Sequence, residues 1–205
     1  NAAGPWVDAV NRLSNERAPE LLGVTRGTHI VVEPPEPFPH DALFSFARSD
    51  GRVFFAVPQG RLLLIGTTDD RYDGAASDVH PTAADVAYLL DEARALLPAT
   101  GIEREHVRYA FAGLRPLMRA AGGPEAAISR KHEVVDHARR GGPAGMLSVI
   151  GGKLSTFRPL AGDVAARAAR GNEPDGPFLP RAHRWRIALR ESGLPHEARQ
   201  HLRIY

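Results

Sequence analysis

Two basic residues stand out for chemistry. Of 26 Lys and Arg residues only two are lysines, Lys131 and Lys153. Lys153 lies in Gly151-Gly152-Lys153-Leu154-Ser155-Thr156-Phe157-Arg158, where a short apolar run meets two glycines and then a helical pattern. Glycine lets a flat ligand or another backbone approach closely. The start of the helix presents unpaired N–H groups and a partial positive charge, to which Lys153 adds a full one. Such a place stabilises negative charge on a phosphate or on a reduced ring. A capped strand-to-helix turn with an exposed lysine reads the same residues without function. The spacing is not that of a GxxxxGK phosphate loop.

The second is Arg115, in Gly113-Leu114-Arg115-Pro116-Leu117 at the end of an apolar strand pattern. Pro116 favours extended geometry at Arg115. A buried Arg must find an anion, either a ligand or a structural carboxylate. Ser129-Arg130-Lys131-His132 is a third basic spot, which a solvated strand edge would also explain. His29, in Arg26-Gly27-Thr28-His29, could act as a base near neutral pH or be a hydrogen-bonded core histidine. Gly66-Thr67-Thr68-Asp69-Asp70 could bind a polyol or form an ordinary turn. The nine histidines show neither an HxxxH pair nor a His/Asp/Glu triad of metal spacing, so no metal site is expected.

These residues need elements to carry them. Pro5 suits a first helical position, and Trp6, Val7, Val10 and Leu13 form a helical apolar stripe that Pro19 closes. Thr28–Val32 reads as a short β-branched strand. Leu43–Ala47, Val53–Val57 and Leu62–Thr67, split by turn signals, read as an antiparallel meander. Thr82–Leu97 is a helix, its Thr82 and Asp85 resembling a capping box. Val107–Met118 reads as a strand interrupted at Gly113 and Pro116, and Ile128–Val135 as another. Met146–Ile150 is a short buried strand, followed by a helix over about Phe157–Arg170. From Asn172 a proline-bearing linker leads to an Arg-rich helical stretch. The order predicts an α+β fold with a sheet-rich middle and one terminal strand-turn-helix.

The 205 residues suffice for one core, with 43% apolar and 24% charged residues. The absence of cysteine excludes a disulfide scaffold and a Cys-based zinc site. A net charge of +2 without a concentrated basic stripe argues against nucleic acid. In the Arg-rich tail, Glu191 and Glu197 dilute Arg181, Arg184, Arg186 and Arg190. Neither a membrane-spanning apolar run nor a signal-peptide pattern is present. A chain opening on Asn rather than Met reads as part of something longer.

Taken in order, Asn1-Ala2-Ala3-Gly4-Pro5-Trp6, Arg26-Gly27-Thr28-His29-Ile30-Val31-Val32, Gly66-Thr67-Thr68-Asp69, Pro81-Thr82, Ala112-Gly113-Leu114-Arg115-Pro116-Leu117, Ser129-Arg130-Lys131-His132 and Gly151–Arg158 resemble successive motifs of the FAD-dependent glycerol-3-phosphate dehydrogenase family. The resemblance runs from residue 1 to about residue 170. It implies a fold like that of D-amino-acid oxidase, with an antiparallel substrate-binding domain interleaved with an FAD-binding domain. Residues 1–22 would finish an FAD-domain segment, 23–144 form the substrate-binding sheet, 145–170 return to the FAD domain, and 171–205 begin a helical domain.

The resemblance also implies roles. Arg115 and Arg130 would hold the substrate, chiefly its phosphate. His29 would be the base. Gly4, Gly152, Lys153, Leu154, Ser155 and Thr156 would meet the flavin, Lys153 also stabilising the reduced ring. The implied reaction oxidises glycerol 3-phosphate to dihydroxyacetone phosphate, hydride passing to flavin N5 and electrons to a quinone. A cytoplasmic protein follows, with room for peripheral contact at the inner face of the membrane and for a homodimer in the full-length form.

Three departures are visible. Thr28 stands where the family usually has Ser, and Ser155-Thr156-Phe157 where it has Thr-Thr-Tyr. No GxGxxG occurs, which implies a fragment that binds FAD poorly and does not turn over alone, with open sheet edges and exposed apolar surface. The alternatives are a glycerophosphate oxidase or related FAD oxidase, and a non-catalytic phosphate-binding remnant.

Overall fold

The computed structural model describes residues 1–119 and 130–171. Residues 1–165 form one compact unit; residues 166–205 form a second, of which only the end of a helix is described. The linker from Asn172, the Arg-rich stretch and the first two residues of the strand expected over Ile128–Val135 fall outside the described residues; residues 130–132 are not strand, which begins only at Glu133.

One long strand organises the larger sheet. β1 covers Leu22–Val32, followed by β2 (Leu43–Phe46), β3 (Val53–Gln59), β4 (Leu62–Gly66), β5 (Asp70–Arg71) and β6 (Val107–Met118). Every pairing among them is antiparallel. β6 runs along one whole edge of β1, from Leu22 opposite Met118 to Val32 opposite Val107. The other edge is shared: β5 pairs with Thr25 and Arg26, and β4 with His29–Val32. β3 and then β2 continue outward from β4. Thr67, Thr68 and Asp69 therefore sit in the gap between β4 and β5, opposite the middle of β1.

Side chains alternate across a sheet, so each face has its own task. Ile30, Val32, Phe54, Ala56, Leu63 and Ile65 point to one face and pack against Leu89, Leu90, Ala93 and Leu97 and against Ile102. The helix supplying Leu89–Ala93 is α2, Ala83–Leu96, and its capping box forms as read: Asp85 N–H donates to Thr82 Oγ1 (3.1 Å) and Thr82 N–H to Asp85 Oδ2 (2.8 Å). Asp85 also accepts from Arg26 Nη2 (3.0 Å) and Thr28 Oγ1 (3.2 Å), which fixes the start of α2 to the centre of β1. The opposite face of the sheet carries the functional residues described below.

A second core joins the termini of this unit. α1 is Val7–Ser14, and β7 (Glu133–Asp136) and β8 (Leu147–Ile150) form a separate antiparallel pair. Val7, Leu21, Leu22, Val135 and Ile150 pack together there. Asn1 lies beside β8, its backbone nitrogen donating to Leu147 O (2.7 Å) and its carbonyl accepting from Val149 N (2.8 Å). That pattern is a parallel bridge, so Asn1 and β8 run in the same direction. α3, Phe157–Gly171, follows β8.

Three expectations need correction. β1 begins at Leu22, six residues before the expected Thr28, because Gly23 and Gly27 dilute the strand signal. β6 runs unbroken through Gly113 and Pro116. Pro116 O accepts from Gly151 N (3.0 Å) on the side away from β1. Backbone N and C=O of one strand residue point the same way, so the missing N–H faces no ladder partner. Finally, the apolar stripe of α1 is not a buried face: Trp6 is 54% and Leu13 87% exposed, while Val7 and Asn11 are the buried residues.

Candidate functional site

On the face turned away from α2, register sets a row across five strands. Phe44 lies opposite Phe55, Phe55 opposite Gly66, Gly66 opposite His29, and His29 opposite Phe111. The His29 ring stacks on Phe111 at 5.2 Å between centroids, with 10° between planes, and meets Phe55 at 5.7 Å. A Cβ on Gly66 would come within 2.2 Å of His29 Cδ2. Gly66 thus clears the floor on which the imidazole lies. Burial, and then the nearby Arg115 charge, hold the His29 pKa below its usual value. At neutral pH the ring is uncharged and can accept a proton.

Arg115 lies over the neighbouring position of the same face. A Cβ on Gly27 would meet its guanidinium, 2.1 Å from Nη2 and 2.3 Å from Cζ. Gly27 precedes His29 by two residues, so guanidinium and imidazole occupy adjacent places roughly 6–7 Å apart along β1. Arg115 Nη1 donates to Asp69 Oδ1 (3.1 Å) and Nη2 to Thr67 Oγ1 (2.8 Å). Arg130 Nη2 donates to the other oxygen, Asp69 Oδ2 (2.5 Å). Two arginines therefore meet on one carboxylate that is distant from both in sequence. Burial lowers the Arg115 pKa and Asp69 opposes that; the group stays cationic.

The Thr67-Thr68-Asp69 segment is built inward. Thr68 Oγ1 accepts from Thr28 N (2.9 Å), and Thr68 N donates to Thr28 O (3.3 Å). These bonds pin the backbone one residue before His29. The Thr68 hydroxyl, 2% exposed, serves the protein rather than a polyol.

The flavin candidates lie on the strand-to-helix turns. Gly151 and Gly152 have φ of +70° and +91°, a region that disfavours side chains, and Gly4 has φ of +58°. Because Asn1 and β8 are parallel, the turns holding Gly4 and Gly152 leave at the same, carboxyl end. That end is where ligands bind in open α/β sheets. The bond from Gly151 N to Pro116 O ties the second turn to β6, one residue beyond Arg115. Lys153, Leu154 and Ser155 are exposed, and Thr156 Oγ1 caps the turn by accepting from Lys153 N (3.2 Å). Thus Arg115, Arg130 and His29 gather on the sheet face, while Gly4 and Gly152–Thr156 form a second group on the turns.

Residues 1–158 match the family model described as FAD dependent oxidoreductase. The chain belongs to that family. Glycerol-3-phosphate dehydrogenase of Synechocystis sp. is 36% identical over 171 residues, covering 80% of this chain and 31% of that protein. Aerobic glycerol-3-phosphate dehydrogenase of Staphylococcus aureus is 36% identical over 165 residues, with 80% and 28% covered. The X-ray structure of glycerol-3-phosphate dehydrogenase from Bacillus halodurans complexed with FAD superimposes with a TM-score of 0.69 at 32% identity, covering 87% of this chain and 33% of that one. The chain thus spans under a third of the length of these curated relatives.

The residues present suit the cofactor of an FAD-dependent oxidoreductase. Gly4 opens on free space, whereas Gly151 and Gly152 let the Lys131 backbone and the His132 side chain pack closely against the second turn. An exposed ammonium at the start of a helix supplies positive charge there. The sequence offers Asp69 as a polyol ligand rather than as the counter-charge of two arginines, and gives Gly27 no role of its own. Both lie inside motifs that stand out in the sequence, but their roles depend on cross-strand register.

Proposed function

We propose that this chain carries the substrate side of a flavin-dependent oxidation of sn-glycerol 3-phosphate to dihydroxyacetone phosphate. The observation that supports this most is the meeting of Arg115 and Arg130 on Asp69, next to an uncharged His29. The two guanidiniums hold the phosphate by charge-assisted hydrogen bonds. His29 accepts the proton of the secondary hydroxyl, and its stacking on Phe111 fixes the ring for that transfer. Bound FAD supplies the two-electron acceptor. Lys153 and the helix start after it offset negative charge on that side. The electrons pass on to a quinone, which is lipid-soluble and fits a cytoplasmic protein held peripherally at the membrane.

The test is anaerobic mixing of the FAD-loaded protein with glycerol 3-phosphate. The flavin absorbance should bleach, and a quinone should restore it. Bleaching by an amine or hydroxy acid, but not by glycerol 3-phosphate, would refute the substrate. Rapid reoxidation by oxygen with peroxide release would refute the quinone and favour an oxidase.

A further inference from the structure

We propose that Asp69 is a positioning residue, a strut that holds Arg115 and Arg130 at one point so that a phosphate meets both. Resting on the assignment of those arginines as anion ligands, it adds a residue that touches neither phosphate nor flavin.

The geometry is that of a shared support. Each oxygen of Asp69 takes a different guanidinium, Oδ1 that of Arg115 and Oδ2 that of Arg130. The Asp69 side chain is 8% exposed and Arg130 48%, so the buried carboxylate is the fixed partner and Arg130 the movable one. Among the described residues, no other ion pair holds Arg130. Neither contact is bidentate. A guanidinium has five N–H donors, and Arg115 gives one to Asp69 and one to Thr67. Donors therefore remain on both arginines for an anion. Without the carboxylate, two like charges face one another, and Arg130 has the freedom to swing into solvent.

Charge and position predict opposite effects, which makes the inference testable. If Asp69 were merely a nearby negative charge, its removal would strengthen anion binding. If it is a strut, removal weakens binding. Loss of one well-placed charge-assisted hydrogen bond corresponds to about tenfold to a hundredfold in affinity.

The experiment measures the inhibition constant of inorganic phosphate and the steady-state kinetics of the FAD-loaded protein. The variants are Asp69→Ala, Asp69→Asn and Arg130→Ala, and the substrates glycerol 3-phosphate and glycerol. Asp69→Asn keeps an acceptor oxygen and guards against misfolding of the alanine variant. The strut predicts weaker phosphate inhibition in the order Asp, Asn, Ala, by about tenfold to a hundredfold for Ala. The loss should fall on KM for glycerol 3-phosphate more than on kcat, and much less on glycerol. Tighter phosphate binding in Asp69→Asn, or equal losses with both substrates, overturns the strut. If Arg130→Ala weakens phosphate and Asp69→Asn does not, only the strut fails. If Arg130→Ala leaves phosphate inhibition unchanged, the arginine assignment fails and the strut with it.

Discussion

At the scale of single residues, two glycines do as much for the site as the charged groups they accommodate. Gly27 and Gly66 leave room for the Arg115 guanidinium and the His29 ring, which lie flat on the sheet. A methyl at residue 27 collides only with the end of a flexible side chain, so Gly27→Ala should fold with little loss of stability. It should displace the guanidinium and weaken phosphate inhibition by about tenfold, the order of one charged hydrogen bond. Equal inhibition constants in Gly27→Ala and the parent would contradict this placement. For His29, burial and Arg115 both disfavour the charged form. A base must be unprotonated, so flavin reduction should fall as pH drops, with its midpoint below the usual histidine value of about 6.5. His29→Gln should slow reduction by about 10²–10⁴-fold and remove that acid limb. A limb that persists in the variant would assign it to another group.

At the scale of elements, the sheet and α2 must be held together for the site face to keep its register. The link to β1 is a carboxylate: Asp85 caps α2 and also takes Arg26 and Thr28, while Glu92 of the same helix takes the Arg48 and Ser49 N–H groups of the β2–β3 turn. In that pair the side chains of Arg26 and Asp85 are 16% and 6% exposed. Asp85→Ala leaves a buried guanidinium without a counter-charge and should cost about 3–5 kcal/mol, read as a shift in the urea midpoint. A loss within about 0.5 kcal/mol, typical of surface changes, would refute the link. α2 was legible in the sequence because its cap and apolar period are local signals. The meander was legible because Ser49-Asp50-Gly51 and Gln59-Gly60 punctuate it. The start of β1 and the continuity of β6 were not. Gly23, Gly27, Gly113 and Pro116 weaken local strand propensity, and only pairing along the full length of two partners overrides it. The convergence of Arg115 and Arg130 was legible through the family resemblance. The carboxylate that joins them was not, because it depends on Asp69 falling in the gap between two strands that share one edge of β1.

At the scale of the whole compact unit, a buried polar network supports the second core. His137 Nε2 lies 2.8 Å from Ser148 Oγ, Ser148 Oγ donates to Asn11 Oδ1 (2.8 Å), and Asn1 Nδ2 donates to the same oxygen (2.8 Å). Burial, with the Arg140 charge beside it, lowers the His137 pKa. Protonation therefore favours the unfolded chain. The stabilisation is present above the unfolded value of about 6.5 and lost as pH falls toward and through the folded one. The urea midpoint should drop between about pH 7 and pH 5.5, and His137→Gln should flatten that drop. An identical pH slope in the variant would exclude His137 as a source. This network brings Asn1 beside β8, and with it the two turns proposed to meet the flavin.

The most direct test of the central claim compares anaerobic flavin reduction by glycerol 3-phosphate and by glycerol in the FAD-loaded protein and its Arg115→Ala variant. The parent should strongly prefer the phosphorylated substrate, and Arg115→Ala should collapse that preference by about tenfold or more. A preference unchanged in the variant would show that the phosphate is held elsewhere.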